Sequence, residues 1–277
     1  MSQFVVVSTN SRSNLGCILL PFESVLEFPA VGSGGWGLGY YNRGELLSRV
    51  EPRDRGESFQ VMERIGDIEA EAFILHTRVA TIGSVRRENT HPFRFQNWAF
   101  AHNGTLEGFD DYREKILEAM PPFIHRRVQG DTDSELLFHL FLSFMFDAGT
   151  VNRTNPGTAA IREALVPAMS MVDNFAREAG HPLSDSSVVI SDGYSVVTLG
   201  RGVPVSYSLI EGVTGCEFCR TSRVPKTEPS SVDHRELRAV LIRSGPAMVS
   251  SSLFQDLEDN HILSVTSDHH VEFDSFG

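Results

Sequence analysis

The sequence predicts an α+β fold in which antiparallel sheets pack with helices. After Ser186 the chain consists of short apolar runs at hairpin spacing, separated by turns such as Asp192-Gly193. The earlier strands alternate with paired helices, whereas a doubly wound parallel sheet needs single crossover helices. We find no repeat, low-complexity tract or linker, and therefore expect residues 1–277 to form one domain.

The first hundred residues combine short strands with one glycine-rich segment. Short apolar or β-branched runs predict strands at 3–8, 72–78 and 98–101. The glycine-rich segment 32–39 predicts a turn that leads into a strand through Tyr40 and Tyr41. Apolar residues at helical spacing predict a helix over 57–69.

The middle of the chain predicts helices, and the remainder predicts strands. We expect helices at 110–120, directly after Thr132, and at 156–180. Thr132 and Glu135 match the capping-box pattern, in which Thr132 caps the helix and Glu135 reaches back. The run after them is apolar on nearly every face, which predicts a helix buried between layers. The predicted strands of the second half lie at 187–191, 195–200, 205–210, 239–243 and 262–266.

Composition and charge exclude several classes of partner. The 277 residues are 41% hydrophobic and 22% charged, which is typical of a globular protein with a substantial core. The net charge is −12 and no run of Lys or Arg is present, so we expect neither nucleic acid nor an anionic membrane as a partner. Three scattered cysteines and the lack of a leader or an apolar membrane-spanning window predict a cytoplasmic protein.

Four polar clusters lie at or between the ends of predicted elements, where a rigid scaffold usually displays functional groups. They are His76-Thr77-Arg78 with Ala80-Thr81, Asn89-Thr90-His91-Pro92-Phe93, His102-Asn103-Gly104, and Gly130-Asp131-Thr132-Asp133. Each cluster alone is weak evidence. Arg78 could form a surface ion pair, and Asn103-Gly104 could be a tight turn.

Together, in this order and spacing, the clusters resemble the class II glutamine amidotransferases of the N-terminal-nucleophile hydrolase superfamily. The resemblance is greatest to compact stand-alone members with HTR…AT, NTHPF, AHNG and TDSE segments. It runs from residue 2 to about residue 146 and continues weakly through 188–193 and 240–244. It implies a four-layer αββα sandwich of two antiparallel sheets flanked by helices.

The resemblance also implies a glutamine-binding pocket. Arg78 matches the arginine that holds the substrate α-carboxylate, and a planar guanidinium suits that task. Asp133 matches the acid that holds the α-ammonium, and its place in the first turn of a helix favours its ionised form. Thr81 and His91 match pocket-lining positions, for which structural roles are equally open.

The catalytic groups follow from the same resemblance. Asn103 and Gly104 match the oxyanion hole, in which a side-chain amide and a backbone N–H stabilise the attacked carbonyl oxygen. His76 and His102 are interpreted as structural. The nucleophile position, directly after the initiator Met, holds Ser2 where family members carry Cys.

Other positions near the nucleophile also depart from the family pattern. Gly34 stands where relatives usually have Asp, and Val6 replaces a usual Gly. Cys17 does not replace the missing thiol, because a chain starting there would lose the first strand. Its apolar neighbours predict a buried core thiol.

Three interpretations of Ser2 stay open. The chain is a working serine amidohydrolase acting on glutamine or a γ-glutamyl amide, or an inactive ligand-binding or regulatory protein, or it carries an artificial Cys-to-Ser replacement. An N-terminal Ser activated by its own α-amine is chemically competent, although slower than Cys. We recognise no ammonia-accepting domain in the chain, so a partner protein is a further possibility.

Cys216-Glu217-Phe218-Cys219 is the remaining motif with chemical potential. Such a pair binds zinc or cycles as a redox couple. A structural zinc site needs four ligands, and only His234 lies at a loosely suitable distance. We therefore expect no metal and no cofactor.

Overall fold

The computed structural model describes residues 2–26, 34–53, 61–221, 234–245 and 251–277. Within these ranges the strands are β1 (Gln3–Asn14), β2 (Gly34–Asn42), β3 (Glu45–Glu51), β4 (Glu69–Val79), β5 (Phe93–Phe95), β6 (Trp98–Gly104), β7 (Ser186–Ser191), β8 (Val196–Arg201), β9 (Val205–Val213), β10 (His234–Ser244), β11 (Gln255–Asp256), β12 (His261–Val265) and β13 (Val271–Ser275). The α-helices are α1 (Leu15–Leu19), α2 (Val61–Ile65), α3 (Phe109–Glu118), α4 (Pro122–His125), α5 (Asp133–Asp147), α6 (Thr158–Glu178) and α7 (Glu217–Thr221). Two 3-10 helices cover Leu20–Val25 and Arg87–Asn89.

The strands form two antiparallel sheets. The first sheet has the order β11-β9-β10-β1-β4-β2-β3, and the second has the order β13-β12-β8-β7-β6-β5. The β1 strand lies between β10 and β4, with Phe4 opposite both Ser244 and His76. The residue before β1 therefore lies beside the end of β4.

Three apolar clusters divide the molecule into four layers. The cluster between the sheets combines side chains from both, including Phe4, Val6, Val189 and Leu263. A second cluster packs α3, α5 and α6 on the outer face of the second sheet. A third packs α1 and α2 on the outer face of the first sheet. The predicted four-layer αββα arrangement is confirmed.

Most predicted elements are confirmed, and two are wrong. Segment 34–39 is the first part of β2 and not a turn, while residues 32 and 33 lie outside the described ranges. The helix expected over 57–69 covers only Val61–Ile65 of the described residues, because β4 already begins at Glu69. Strand β3 was not predicted, because its alternation of apolar and polar residues is poor and its residues are mostly exposed.

The helix after Thr132 is capped in a way that differs from the predicted box. Thr132 Oγ1 accepts a hydrogen bond from the Glu135 N–H at 3.2 Å, as expected. The Glu135 carboxylate instead accepts from the backbone N–H groups of Gln129 and Gly130, at 2.8 and 2.6 Å. The Glu135 carboxylate therefore holds the loop that precedes α5.

No helix in the described part of the chain combines the length and apolar character needed to cross a bilayer.

Candidate active site

Ser2 lies at the start of β1, beside the end of β4. Its Oγ accepts a hydrogen bond from the backbone N–H of Val79 at 2.9 Å and lies 3.4 Å from the carbonyl oxygen of the same residue. The pairing of Gln3 with Thr77 sets this contact. Ser2 is therefore next to Arg78 because β1 and β4 are neighbours in the sheet.

Arg78 is buried, with 3% of its surface exposed. Its guanidinium donates to the carbonyl oxygens of Ile82, Gly83 and Ser84, at 2.7, 3.2 and 3.2 Å. A guanidinium has five N–H donors, so these bonds leave donors for a carboxylate. Burial lowers the pKa of Arg78, and the charges of Asp133 and Asp131 oppose that shift. The arrangement fixes a buried cation in place.

Asp133 is equally buried and lies in the first turn of α5. One carboxylate oxygen accepts from the Leu106 N–H at 2.8 Å, and the other accepts from the Ser134 N–H at 2.8 Å. These bonds to backbone N–H groups fix the orientation of the carboxylate. They also join the start of α5 to the loop that follows β6.

Asn103 and Gly104 are the last two residues of β6, so the tight-turn alternative is wrong. The Asn103 side-chain amide donates to Ser244 Oγ at 3.2 Å, while its Oδ1 is buried with no partner among the described residues. A buried acceptor without a partner costs free energy unless a ligand supplies a donor. A side chain at position 104 would clash with the Asp185 carbonyl, which accounts for the glycine.

The two remaining pocket candidates lie at different depths. Thr81 is exposed, and its hydroxyl pairs with that of Thr105 at 3.0 Å, directly after Gly104. His91 is buried and stacks on His76 with ring centroids 4.1 Å apart. Neither ring nitrogen of His91 has a hydrogen-bond partner within the described chain. Burial lowers its pKa well below the usual value, so His91 is neutral.

His76 and His102 have partners inside the protein. His76 Nε2 lies 3.1 Å from the carbonyl oxygen of His102. The His102 ring lies within hydrogen-bond distance of Ser134 and Ser186, at 2.8 and 3.2 Å. These contacts support the structural interpretation of both histidines.

A family model for class II glutamine amidotransferases matches residues 1–199, which is more than half of the chain. The chain belongs to the class II glutamine amidotransferases.

A yeast relative is consistent with this family membership. The Saccharomyces cerevisiae protein named probable glutamine amidotransferase DUG3 is 25% identical over 258 residues, which cover 83% of this chain and 69% of the yeast protein.

Two solved structures support the fold. A glutamine aminotransferase class-II domain protein from Silicibacter pomeroyi has a TM-score of 0.60 and 20% identity, covering 99% of each chain. A glutamine phosphoribosylpyrophosphate amidotransferase from B. subtilis has a TM-score of 0.55 and 15% identity, covering 99% of this chain and 49% of that one. These likenesses establish the N-terminal-nucleophile hydrolase fold.

Asn89 joins two segments of the candidate site, although the sequence analysis did not name it as a site residue. Its amide donates to the Ser84 carbonyl at 2.9 Å and to the Asp131 carboxylate, and its Oδ1 accepts from the Asp131 N–H at 3.0 Å. Asn89 therefore joins the loop that holds Arg78 to the segment that leads into Asp133. It is the first residue of the NTHPF segment, which was the available signal.

Ser244 was missed as well. It accepts from the Asn103 amide and also bonds with the Ser187 hydroxyl, so it joins the two sheets beside the candidate oxyanion hole. The sequence places it in the weak continuation of the family resemblance, without a role.

Close packing explains why position 34 holds a glycine. A Cβ at this position would clash with the backbone carbonyl of Arg78. The departure from the usual Asp therefore allows β2 to approach the segment of β4 that carries Arg78. Val6, the other departure, packs fully buried between the sheets.

A cavity of about 440 Å³ lies apart from Ser2. Its lining includes Arg87, Arg94, Arg127, Glu135 and His139 but none of the candidate catalytic or substrate-binding residues. We centre the candidate active site on Ser2 instead, because Ser2 contacts Val79, the residue that directly follows the buried Arg78.

Proposed function

We propose that this class II glutamine amidotransferase is an amidohydrolase that cleaves the side-chain amide of glutamine or of a γ-glutamyl compound, with Ser2 as nucleophile. The observation that carries the proposal is the hydrogen bond from Val79 N–H to Ser2 Oγ at 2.9 Å. It holds the hydroxyl beside Arg78, at the position where the family has its nucleophile.

The substrate is oriented by two opposite charges. Arg78 binds the α-carboxylate through its remaining N–H donors. Asp133, fixed by the Leu106 and Ser134 N–H groups, binds the α-ammonium. Thr81 and His91 line the pocket. Holding both ends of the amino acid places the side-chain amide at Ser2.

The reaction proceeds through an ester of Ser2. Removal of Met1 frees the α-amine, which takes the Ser2 hydroxyl proton as Oγ attacks the amide carbon. The Asn103 side-chain amide and the Gly104 N–H stabilise the negative carbonyl oxygen. The C–N bond breaks, and the proton passes from the α-amine to the leaving ammonia. Water then hydrolyses the ester, yielding glutamate and regenerating Ser2.

A second candidate function is a binding or regulatory protein that holds a glutamine-like ligand without cleaving it. Ser2 in place of Cys favours this alternative, because a hydroxyl is not ionised at neutral pH whereas a thiol is partly so. Arg78 and Asp133 serve the same binding role in this case.

The experiment is glutamate release from L-glutamine by the purified chain, with its N-terminus established by mass spectrometry. We expect turnover that disappears in Ser2→Ala and rises by about tenfold or more in Ser2→Cys. Turnover equal to that of Ser2→Ala, combined with calorimetric binding of glutamine, would establish the binding protein instead. Neither turnover nor binding would contradict both candidates.

The wider context of the activity is also a proposal. Residues near both ends of the sequence, Phe4 and Val265, share the cluster between the sheets, which supports one domain over 1–277. Ammonia released at Ser2 passes to a partner protein or to solution. A cytoplasmic location stays a prediction.

A further inference from the structure

Three cysteines and one histidine meet outside the candidate active site. Cys17 of α1, Cys216 and Cys219 beside and within α7, and His234 at the start of β10 place one ligand atom each within 4.8 Å of the others. The Cys17 and Cys219 sulfurs are 3.4 Å apart, and Cys219 Sγ lies 3.2 Å from His234 Nε2. The cysteines are buried and His234 is partly buried.

The spacing of these atoms suits a tetrahedral metal ion. With Zn–S bonds of about 2.3 Å, two ligand sulfurs of a tetrahedral zinc lie about 3.8 Å apart. The 3.4 Å separation of Cys17 and Cys219 differs from this by a few tenths of an ångström. The four ligand atoms all lie within 4.8 Å of one another, which is close enough for them to share one central ion.

The ligand types and their origins fit a structural zinc site. Three sulfurs and one imidazole nitrogen form a known zinc ligand set, and the Cys216–Cys219 pair has the two-residue spacing of such sites. No disulfide joins the three cysteines, and the 3.4 Å between the Cys17 and Cys219 sulfurs is well beyond the length of a disulfide bond. A buried core thiol explains Cys17 alone, but not its convergence with two further thiols and an imidazole.

Neighbouring contacts fix α1 and pack it on α7. The Gly16 N–H donates to the Gly66 carbonyl at 2.9 Å, which anchors α1 next to Cys17. The Phe218 ring packs so closely on Gly16 that a side chain there would clash with it. Helix α1 and helix α7 are therefore already in contact where the ligands meet.

We propose that Cys17, Cys216, Cys219 and His234 bind one structural zinc ion, through the three sulfurs and His234 Nε2. Binding releases the three thiol protons to solvent, since thiolates are the ligands. Four protein ligands complete the tetrahedron and leave no position for a substrate. The ion joins α1, which directly follows β1, to α7 and to the start of β10.

The proposed zinc ion connects to two strands, β1 and β10, that lead to the candidate active site. The β1 strand begins next to Ser2, and its neighbour β10 ends at Ser244. Zinc therefore stabilises one end of the β1–β10 pair, where β1 ends and β10 begins. The candidate nucleophile lies at the opposite end of the same pair.

The test is metal content, measured by elemental analysis of the full chain purified without a metal-affinity step. We expect about one zinc ion per chain, and at least a tenfold lower content in Cys219→Ser and in His234→Ala. The matched control is His125→Ala, which removes an exposed histidine of α4 and keeps its zinc. A full zinc content in both ligand variants would overturn the proposal.

A second measurement on the unaltered chain separates loss of metal from loss of folding. Titration with a mercurial that modifies thiols, in the presence of a chromogenic zinc chelator, is expected to release about one zinc per three thiols modified. After zinc is removed, added Co²⁺ is expected to give the intense absorption of cobalt–thiolate bonds. Absence of both zinc and Co²⁺ uptake by the reduced chain, or a Cys17–Cys219 disulfide found by mass spectrometry, would overturn the proposal.

Discussion

The side-chain amide of Asn103 donates to the hydroxyl of Ser244 at 3.2 Å, and this bond joins the two sheets near the start of β1, where Ser244 pairs with Phe4. Asn103 is the second-last residue of β6 in the second sheet, whereas Ser244 is the last residue of β10 in the first. The candidate oxyanion hole is therefore positioned by a contact between layers and not by its own strand alone.

Replacement of Asn103 by Ala is expected to lower kcat for glutamine hydrolysis by roughly 10²–10³, because an oxyanion donor is lost. KM is expected to change little, since this donor acts mainly on the transition state. The measurement is glutamate release in the Ser2→Cys background, where we expect the highest rate. The matched control is Ser244→Ala, which removes only the positioning hydroxyl. Its kcat is expected to fall by less than about tenfold. An Asn103→Ala rate within tenfold of its parent would contradict the assignment.

Replacement of Asp133 by Asn is expected to lower kcat/KM for glutamine by about 10–100-fold, because a charge-assisted hydrogen bond is worth about 1.5–3 kcal/mol. An analogue of glutamine that lacks the α-amine has no ammonium to bind, so the variant is expected to handle it about as well as the parent does. The measured quantity is the ratio of kcat/KM for the two substrates.

The neighbouring carboxylate supplies the control for that experiment. Asp131 has a half-exposed side chain that contacts Asn89 and Arg86. Asp131→Asn is expected to leave the ratio unchanged. Asp133 would be structural if Asp133→Asn and Asp131→Asn lowered the ratio equally. It would also be structural if Asp133→Asn lowered kcat/KM equally for both substrates.

Acid is expected to destabilise the protein through its buried histidines. Burial lowers the pKa of His76 to about 3, and burial also lowers the pKa of His91 and His102. In the unfolded chain the histidine pKa is about 6.5. For His76, between these two values, the unfolded state holds a proton that the folded state lacks, so the free energy of unfolding rises with pH. The slope is about 1.4 kcal/mol per pH unit for each such histidine.

Urea unfolding at several pH values between 5 and 7.5 measures this slope. His76→Asn is expected to reduce the slope by about 1.4 kcal/mol per pH unit, because one neutral buried imidazole is removed. The control is His125→Asn, which removes an exposed imidazole and leaves the slope unchanged. A wild-type stability that does not fall below pH 6.5 would contradict the prediction.

The ion pair between Arg201 and Asp173 is expected to be important for stability. The atoms Arg201 Nη1 and Asp173 Oδ2 are 2.6 Å apart, and the two side chains are only 8% and 12% exposed. Asp173→Ala leaves a buried cation without its partner, which costs about 3–5 kcal/mol. Thermal unfolding is expected to shift downward by roughly 2–4 °C for each kcal/mol.

An exposed pair provides the comparison. Lys115 and Glu178 lie 2.9 Å apart, with side chains 48% and 62% exposed. Glu178→Ala is expected to cost less than about 1 kcal/mol. Equal Tm shifts for Asp173→Ala and Glu178→Ala would show that burial does not decide the strength of the Arg201 pair.

Local chemistry made part of this protein predictable from its sequence. The Thr132 cap and the helix after it depend on residues adjacent in the chain, so their pattern is visible in the sequence. The strands of the second half are short apolar runs between turns, and they were also recognised. Arg78, Asp133, Asn103 and Gly104 were named because the motifs that contain them resemble those of the class II glutamine amidotransferases.

Contacts between distant segments decided the rest. Segment 34–39 was expected to turn, yet it is a strand whose glycines permit close approach, as where Gly37 meets the His91 carbonyl. No local pattern distinguishes these two uses of glycine. Cys17 and Cys219 are 202 residues apart, so only the packing of α1 on α7 reveals their shared cluster. The sequence by itself determined the α+β class and most of its elements, because these follow from periodicity and local capping, while the four layers and the site residues followed from its resemblance to a known family. The tertiary structure alone decided what those residues touch, because such contacts depend on which strands and helices become neighbours.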